Sequence, residues 1–259
     1  MVTLETSNEI LFLLKDDIFT KFTILITKFL PLPPKIILLD SPTKEILSFS
    51  QTKTLPILKS SDIFFSGTLP ILKYLIHSSK DISDGINMDN REILLGKNEK
   101  EETKVDTWLN FIFYKIFPIV GELEMQLYGK KKFDIRKFEY ALNDLLEILV
   151  DINQYLEFKP FLTDNHVQLS DILLTSALFN LYNDIFTQNE LNLIPNVIRV
   201  FKFVANMRLF KMVFGKAIPC KKVKKHLPFN EKVKEEKKEI GENNNENKKK
   251  KNKKNKENK

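Results

Sequence analysis

The chain has 259 residues, with 41 Lys and Arg against 34 Asp and Glu, for a net charge of +7. Only 7 residues are Gly and no G-x-G occurs, which excludes the dinucleotide fingerprint and the Walker loop; both need clustered glycines to bring backbone N–H groups onto phosphate. A single cysteine, Cys220, and three scattered histidines, His77, His166 and His226, exclude a disulfide framework, a Cys-rich zinc site and a zincin helix, and G-x-S-x-G is absent.

The charge is unevenly placed. Residues 221–259 carry 16 Lys and 7 Glu, a net +9, which leaves residues 1–220 at −2. The tail has no apolar periodicity and cannot bury enough surface to offset its ordering entropy, so 221–259 is expected to be disordered. The body is rich in Leu, Ile and Phe, and about two hundred residues suffice for a substantial core. Lys21, Lys28 and Lys35 interrupt its most apolar stretch, and Glu5 and Glu9 stand where a signal peptide needs positive charge. A soluble, cytoplasmic protein is expected.

In chain order, Ile10–Leu14 reads as a buried strand. A helix is expected over Asp16–Leu30, with Ile18, Phe22, Leu25, Ile26 and Phe29 on its inner face. The turn Pro31-Leu32-Pro33-Pro34 ends it, and Lys35–Leu39 is a second strand. Ser41-Pro42 predicts the start of a short helix, with Ser as N-cap. Thr54–Leu58 and Ile63–Phe65 form a hairpin. Thr68 caps a helix to about Ser78, with Leu69, Leu72 and Ile76 inward. This βαβαββα order, residues 8–80, is a compact mixed α/β unit.

Residues 81–98 are mostly polar and read as a linker. From Glu99 to Gly215 the pattern is helical, with breaks expected at Pro118, Pro160 and Pro195. Val105, Trp108, Ile112 and Ile116 share a stripe; Trp108 is read as core. Phe138, Leu142, Leu145, Leu149, Ile152 and Leu156 recur every three or four residues. Further helices are expected at about Leu169–Phe186 and Asn196–Phe214. Residues 99–220 therefore form an all-helical domain.

This order, with Leu55-Pro56 in the third strand, resembles the glutathione-transferase fold. That family has Val-Pro there, with a cis proline, and Glu-Ser where Gly67-Thr68 stand. PILKYL (70–75) is similar to its A-I-x-x-Y-L, and YLEFKPFLTDNHVQLSDILL (155–174) to its Y-L…F-L…T-L-A-D-I stretch. Asn196 and Arg199 in PNVIRVF (195–201), Val213-Phe214-Gly215 and Cys220-Lys221-Lys222 resemble the elongation factor 1 gamma family in particular. Some aminoacyl-tRNA synthetases carry domains that share part of this pattern.

The resemblance covers about residues 8–222 and implies a thioredoxin-like α/β domain followed by an all-α domain. It departs at Val200, where the family has Trp, and at Gln168, where it has Thr; a Gln caps less well, by ~1 kcal/mol. Asp171 at N3 is retained, and Val167 against Ile172 can form the hydrophobic staple. The resemblance also implies a further domain after the basic linker, and the sequence ends at Lys259 within that linker.

A glutathione-conjugating enzyme needs a donor that holds the thiolate, and the family places Tyr, Ser or Cys just after the first strand. Here that region is Leu14-Lys15-Asp16-Asp17, with Thr20 the first hydroxyl. Two carboxylates oppose a thiolate, so no catalytic residue is expected; no cofactor or metal is expected either. Leu55, Pro56 and Thr68 are candidates for a vestigial glutathione-type pocket, with Thr68 at a helix N-terminus receiving a carboxylate; the plainer reading is a hairpin proline and an N-cap. Gln168 and Asp171 are expected to cap a helix, His77 to complement a helix C-terminus, and Cys220 to be inert despite neighbouring lysines.

The resemblance implies a non-catalytic scaffold that binds the nucleotide-exchange subunit of the elongation factor 1 complex. The alternatives are a scaffold for aminoacyl-tRNA synthetases and a divergent glutathione transferase. Non-specific RNA contacts, if made, are expected from Lys248, Lys249, Lys250, Lys251, Lys253, Lys254 and Lys256, the tail lysines least offset by Glu. The run KKKKNKK (248–254) also matches a nuclear localisation signal, a promiscuous pattern, and a solvated linker is the plainest reading of the tail.

Overall fold

The computed structural model describes residues 8–15, 17–78, 90–163 and 165–229. The first domain contains β1 (Ile10–Leu14), α1 (Thr20–Thr27), β2 (Lys35–Leu39), α2 (Lys44–Ser48), β3 (Ile57–Ser60), β4 (Ile63–Ser66) and α3 (Thr68–Ser78). The sheet order is β2-β1-β3-β4, with β1 and β2 parallel and the other pairs antiparallel. A parallel neighbour needs a crossover, and α1 supplies it. Leu11 and Leu13 alternate onto one face of β1 and join Phe22, Leu25, Ile26, Ile71, Leu72 and Leu75 in the core. The expected strands and their order are found, with β3 beginning three residues later than the apolar run Thr54–Leu58.

Helix α2 begins later than expected. Thr43, not Ser41, is its N-cap, and the Thr43 hydroxyl accepts from the Ile46 N–H at 3.3 Å. Within the stretch expected to be a linker, α4 (Asn90–Leu95) buries Leu94 and Leu95 and packs against α3.

The second domain opens with α5 (Glu99–Phe111), which runs through one π-helical turn (Ile112–Ile116) into α6 (Phe117–Leu127). The expected break at Pro118 is absent. A proline ring collides with the carbonyl four residues earlier in a regular helix, and the wider π turn just before Pro118 relieves that contact. Then follow α7 (Ile135–Tyr155), α8 (Leu169–Asp184), α9 (Gln188–Leu193), α10 (Pro195–Ala205) and α11 (Arg208–Phe214). The stretch expected as one helix over 196–214 is thus two, parted at Asn206-Met207. Helix α8 is buried on nearly all sides, from Leu169 to Tyr182, and is the axis of this domain.

One continuous apolar core joins the domains. It runs from Leu11 and Phe22 through Val105, Ile112 and Ile116 to Leu174, Phe201 and Phe210. Past Cys220 the chain stays on the helical body to Phe229. Cys220 N–H donates to the Tyr182 carbonyl at 3.0 Å, Lys224 N–H to that of Asp184 at 2.8 Å, and Leu227 N–H to that of Leu127 at 2.8 Å. The remaining expected tail, residues 230–259 with all seven candidate RNA-binding lysines, lies outside the described residues, as does Asp16.

Candidate functional site

The resemblance implies a thiol-binding site where β1 hands over to α1, and the structure brings Leu55 and Pro56, but not Thr68, to that place. Leu55-Pro56 is a cis peptide, and both residues line a small space with Leu13, Leu14, Asp17, Phe19, Thr20 and Thr23. That space has a volume of about 10 Å³, room for one water at most. The polar groups around it are already engaged. The Thr20 hydroxyl donates to the Leu14 carbonyl at 2.5 Å, the Thr23 hydroxyl to the Phe19 carbonyl at 2.9 Å, and Asp17 Oδ1 accepts from the Phe19 N–H at 2.8 Å. Lys15 turns to Asp40, 3.3 Å away at the surface. From the second domain, Phe113 stacks on Phe19 with centroids 4.6 Å apart, and Phe117 lies 4.5 Å from Phe19.

Thr68 is the first residue of α3 and almost fully buried; Gly67 holds the cap position, its carbonyl accepting from the Ile71 N–H at 3.2 Å. Gly67 adopts φ +95°, which favours a residue without a Cβ. Thr68 does not line the space beside Pro56.

His77 sits in the last turn of α3, as expected, and also reaches across to another helix. Its Nε2 lies 3.0 Å from Glu102 Oε1 on α5, and Lys73 reaches Glu102 at 3.0 Å and Asp106 at 2.7 Å. Burial pushes the Glu102 carboxyl up, but hydrogen bonds and charge from Lys73 and His77 outweigh it and hold the group below the usual carboxylate range. This cluster ties α3 to α5 and was invisible as a sequence motif, since its members lie 25 to 33 residues apart.

At the start of α8, Gln168 occupies the N-cap and Asp171 is N3. Asp171 is fully buried; Oδ2 accepts from the Gln168 N–H at 3.0 Å and Oδ1 from the Leu162 N–H at 2.9 Å. Burial pushes the carboxyl up to about 6, against the pull of those backbone donors. The Gln168 amide oxygen accepts from the Thr163 hydroxyl. Val167 packs on the core, while His166 Nε2 is buried without a hydrogen-bond partner among the described residues.

Arg199 and Asn196 of the PNVIRVF stretch fasten α10 to the end of α7. Arg199 donates to the carbonyls of Pro160, Lys159 and Leu156 at 2.8, 2.7 and 3.2 Å, and Asn196 N–H donates to Asn153 Oδ1 at 2.7 Å. Cys220 is buried, and burial pushes its thiol up despite the neighbouring lysines. Trp108 lies edge-on to Phe111 and 5.0 Å from Tyr155. Among the described residues, no group of three or more His, Cys, Asp or Glu is placed to hold a metal ion, and no helix is long and apolar enough to cross a membrane.

A βαβαββα sheet domain with a cis proline beside the end of β1, fused to a helical domain built on a buried, Asp-capped helix, is the glutathione-transferase-like fold. Solved structures agree. The glutathione-transferase-like domain of elongation factor 1-gamma from Saccharomyces cerevisiae superposes with a TM-score of 0.70 at 16% identity, covering 87% of this chain and 100% of that one. Glutathione transferase F7 from Populus trichocarpa gives 0.67 at 16% identity, over 79% and 97%. In sequence, the chain resembles elongation factor 1-gamma: it is 27% identical to the Carassius auratus protein over 180 residues, 68% of this chain and 40% of that protein. It is also 25% identical to valine–tRNA ligase of Takifugu rubripes over 126 residues, 49% of this chain and 10% of the ligase. The chain thus spans less than half the length of these relatives. No protein-family model matches it.

Proposed function

We propose that this chain is a non-catalytic scaffold of translation elongation, acting in the cytoplasm as the glutathione-transferase-like part of an elongation factor 1-gamma and binding the nucleotide-exchange subunit of that complex. The observation that supports it is the Phe19 plug. The place where a transferase would hold a thiolate contains the Phe19–Phe113 stack, a Thr20 hydroxyl committed to the Leu14 carbonyl, and about 10 Å³ of space. A drug-sized ligand needs a cleft of roughly 300 Å³ or more. Leu55, Pro56 and Thr68 on this reading are the remnant of a pocket, serving the hairpin and the start of α3.

Two experiments on the full chain test the reading together: conjugation of glutathione to a standard electrophile, and affinity capture from native lysate. The proposal expects a rate equal to the uncatalysed one and recovery of exchange-factor subunits. A rate above background that Thr20 or Thr68 substitution abolishes would replace the scaffold with a divergent transferase. The similarity to a valine–tRNA ligase supports a second reading, a synthetase-associated scaffold; capture of synthetases without exchange-factor subunits would favour it.

A further inference from the structure

The first basic residues after Cys220 lie against other cations of the helical domain. The segment after Cys220 lies along the loop between α6 and α7. Beyond the Leu227–Leu127 backbone bond, the His226 ring stacks on Phe133 with centroids 4.2 Å apart and planes at 8°. A Cβ on Gly129, which has φ +70°, would come within 2.6 Å of the Pro228 carbonyl, so the close approach requires glycine there.

This docking merges two basic stretches that are ninety residues apart in sequence: Lys130, Lys131, Lys132, Arg136 and Lys137 with Lys221, Lys222, Lys224 and Lys225. Three of the nine are paired, Lys131 with Glu122, Lys137 with Asp134 and Lys224 with Asp184. The other six are exposed and make no ion pair among the described residues. Like charges crowded on one face repel one another, and a polyanion relieves that repulsion while releasing its own counterions.

Beside this patch, between α6 and α7, lies an open groove of about 570 Å³, floored by Pro118, Ile119 and Ala141 and lined by Arg136, Lys137 and Tyr140 together with the carboxylates Glu122 and Asp144, of which Glu122 is paired with Lys131 at 2.6 Å. Tyr140 is 70% exposed. The groove itself is charge-balanced, and its exposed aromatic ring and apolar floor beside the lysine patch suit a flexible strand whose phosphates lie on the patch and whose bases stack in the groove.

We propose that the α6–α7 loop, the docked segment 220–229 and this groove form one binding surface for single-stranded nucleic acid. Phosphates lie along Lys130, Lys132, Arg136, Lys221, Lys222 and Lys225, and a base stacks on Tyr140. The contacts are made to backbone and π-face, so the surface does not select sequence. The site belongs to the folded body and goes beyond the scaffold reading, from which it is independent. It is separate from the RNA contacts expected of Lys248, Lys249, Lys250, Lys251, Lys253, Lys254 and Lys256, which lie outside the described residues.

The test is a salt titration of full-chain binding to a labelled oligouridylate. The variant Lys130→Glu/Lys132→Glu/Arg136→Glu is compared with Lys97→Glu/Lys100→Glu/Lys104→Glu, an equal charge change on exposed residues at the far end of the long α5–α6 rod. The first triple should weaken binding by at least about tenfold and make the log K against log salt slope shallower by about 2, while the second leaves both nearly unchanged. Tyr140→Ala should weaken binding with no change in slope. Wild-type affinity in the first triple, equal losses in both triples, or no binding of the wild-type chain would each overturn the proposal. If the first triple kept oligouridylate but lost polyglutamate, the surface would be one for an acidic protein, and the nucleic-acid assignment would fall.

Discussion

Phe19 of the sheet domain and Phe113 of the helical domain stack with their ring planes 15° apart, closing the space beside Leu55-Pro56. The contact joins the domains and, on the scaffold reading proposed above, fills the place of a substrate thiol. Phe19→Ala should therefore destabilise the protein by about 2–4 kcal/mol, somewhat below the roughly 3–5 kcal/mol of a fully buried Phe because the ring is only half-buried. It should still not conjugate glutathione, because Thr20 and Asp17 remain committed to backbone groups. Urea unfolding and an electrophile assay on the same preparation check both halves.

Asp171 accepts two buried backbone N–H groups from different segments, so its loss does more than remove a cap. Asp171→Ala leaves the Leu162 and Gln168 amides without an acceptor, and each such group costs about 1–3 kcal/mol. A loss of about 2–4 kcal/mol is expected, larger than the ~1 kcal/mol of an ordinary N-cap. A shift in the urea midpoint at unchanged slope measures it.

The same carboxyl makes stability depend on pH. Its folded value of about 6 stands above its ordinary 3.8, so the folded protein holds this proton more tightly than the unfolded chain. The resulting stabilisation is complete below pH 3.8 and is lost as pH rises through 6. Asp171→Asn removes the titration. The stability of the wild type relative to Asp171→Asn should fall by on the order of 2–3 kcal/mol between pH 4 and pH 7. Glu102, held low by Lys73 and His77, contributes in the opposite sense, and the paired comparison cancels it.

Cys220 should be a slow thiol. It is 8% exposed, burial pushes its pKa up, and its S–H lies 3.0 Å from the Lys222 carbonyl. Alkylation of the native chain near neutral pH should be many-fold slower than in urea. Equal rates would mean that the segment after Ile218 does not stay docked.

What the sequence revealed and what it hid follow a physical divide. The strands β1 and β2 stand as isolated apolar runs, and the register of Phe138, Leu145, Leu149 and Ile152 fixes α7, because burial writes itself into periodicity. The core half of the capping arrangement, Asp171, was legible for the same local reason. Features set by distant partners were not. The helix α4 shows only Leu94 and Leu95 to mark it, and its reason to fold is a docking site on α3. Pro118 looked like a break because the π turn that accommodates it has no residue signature. His77 read as a helix end, and its partner Glu102 belongs to another domain. Lysine-rich composition hid the attachment of 221–229, whose anchors are backbone bonds and one stacked histidine.

The central claim, a scaffold in place of an enzyme, is tested most directly by calorimetric titration of the full chain with the purified nucleotide-exchange subunit of the elongation factor 1 complex. The account predicts saturable binding at a fixed stoichiometry that persists in Phe19→Ala and is unaffected by added glutathione. No heat of binding to the exchange subunit, together with saturable binding of glutathione to the same chain, would contradict it.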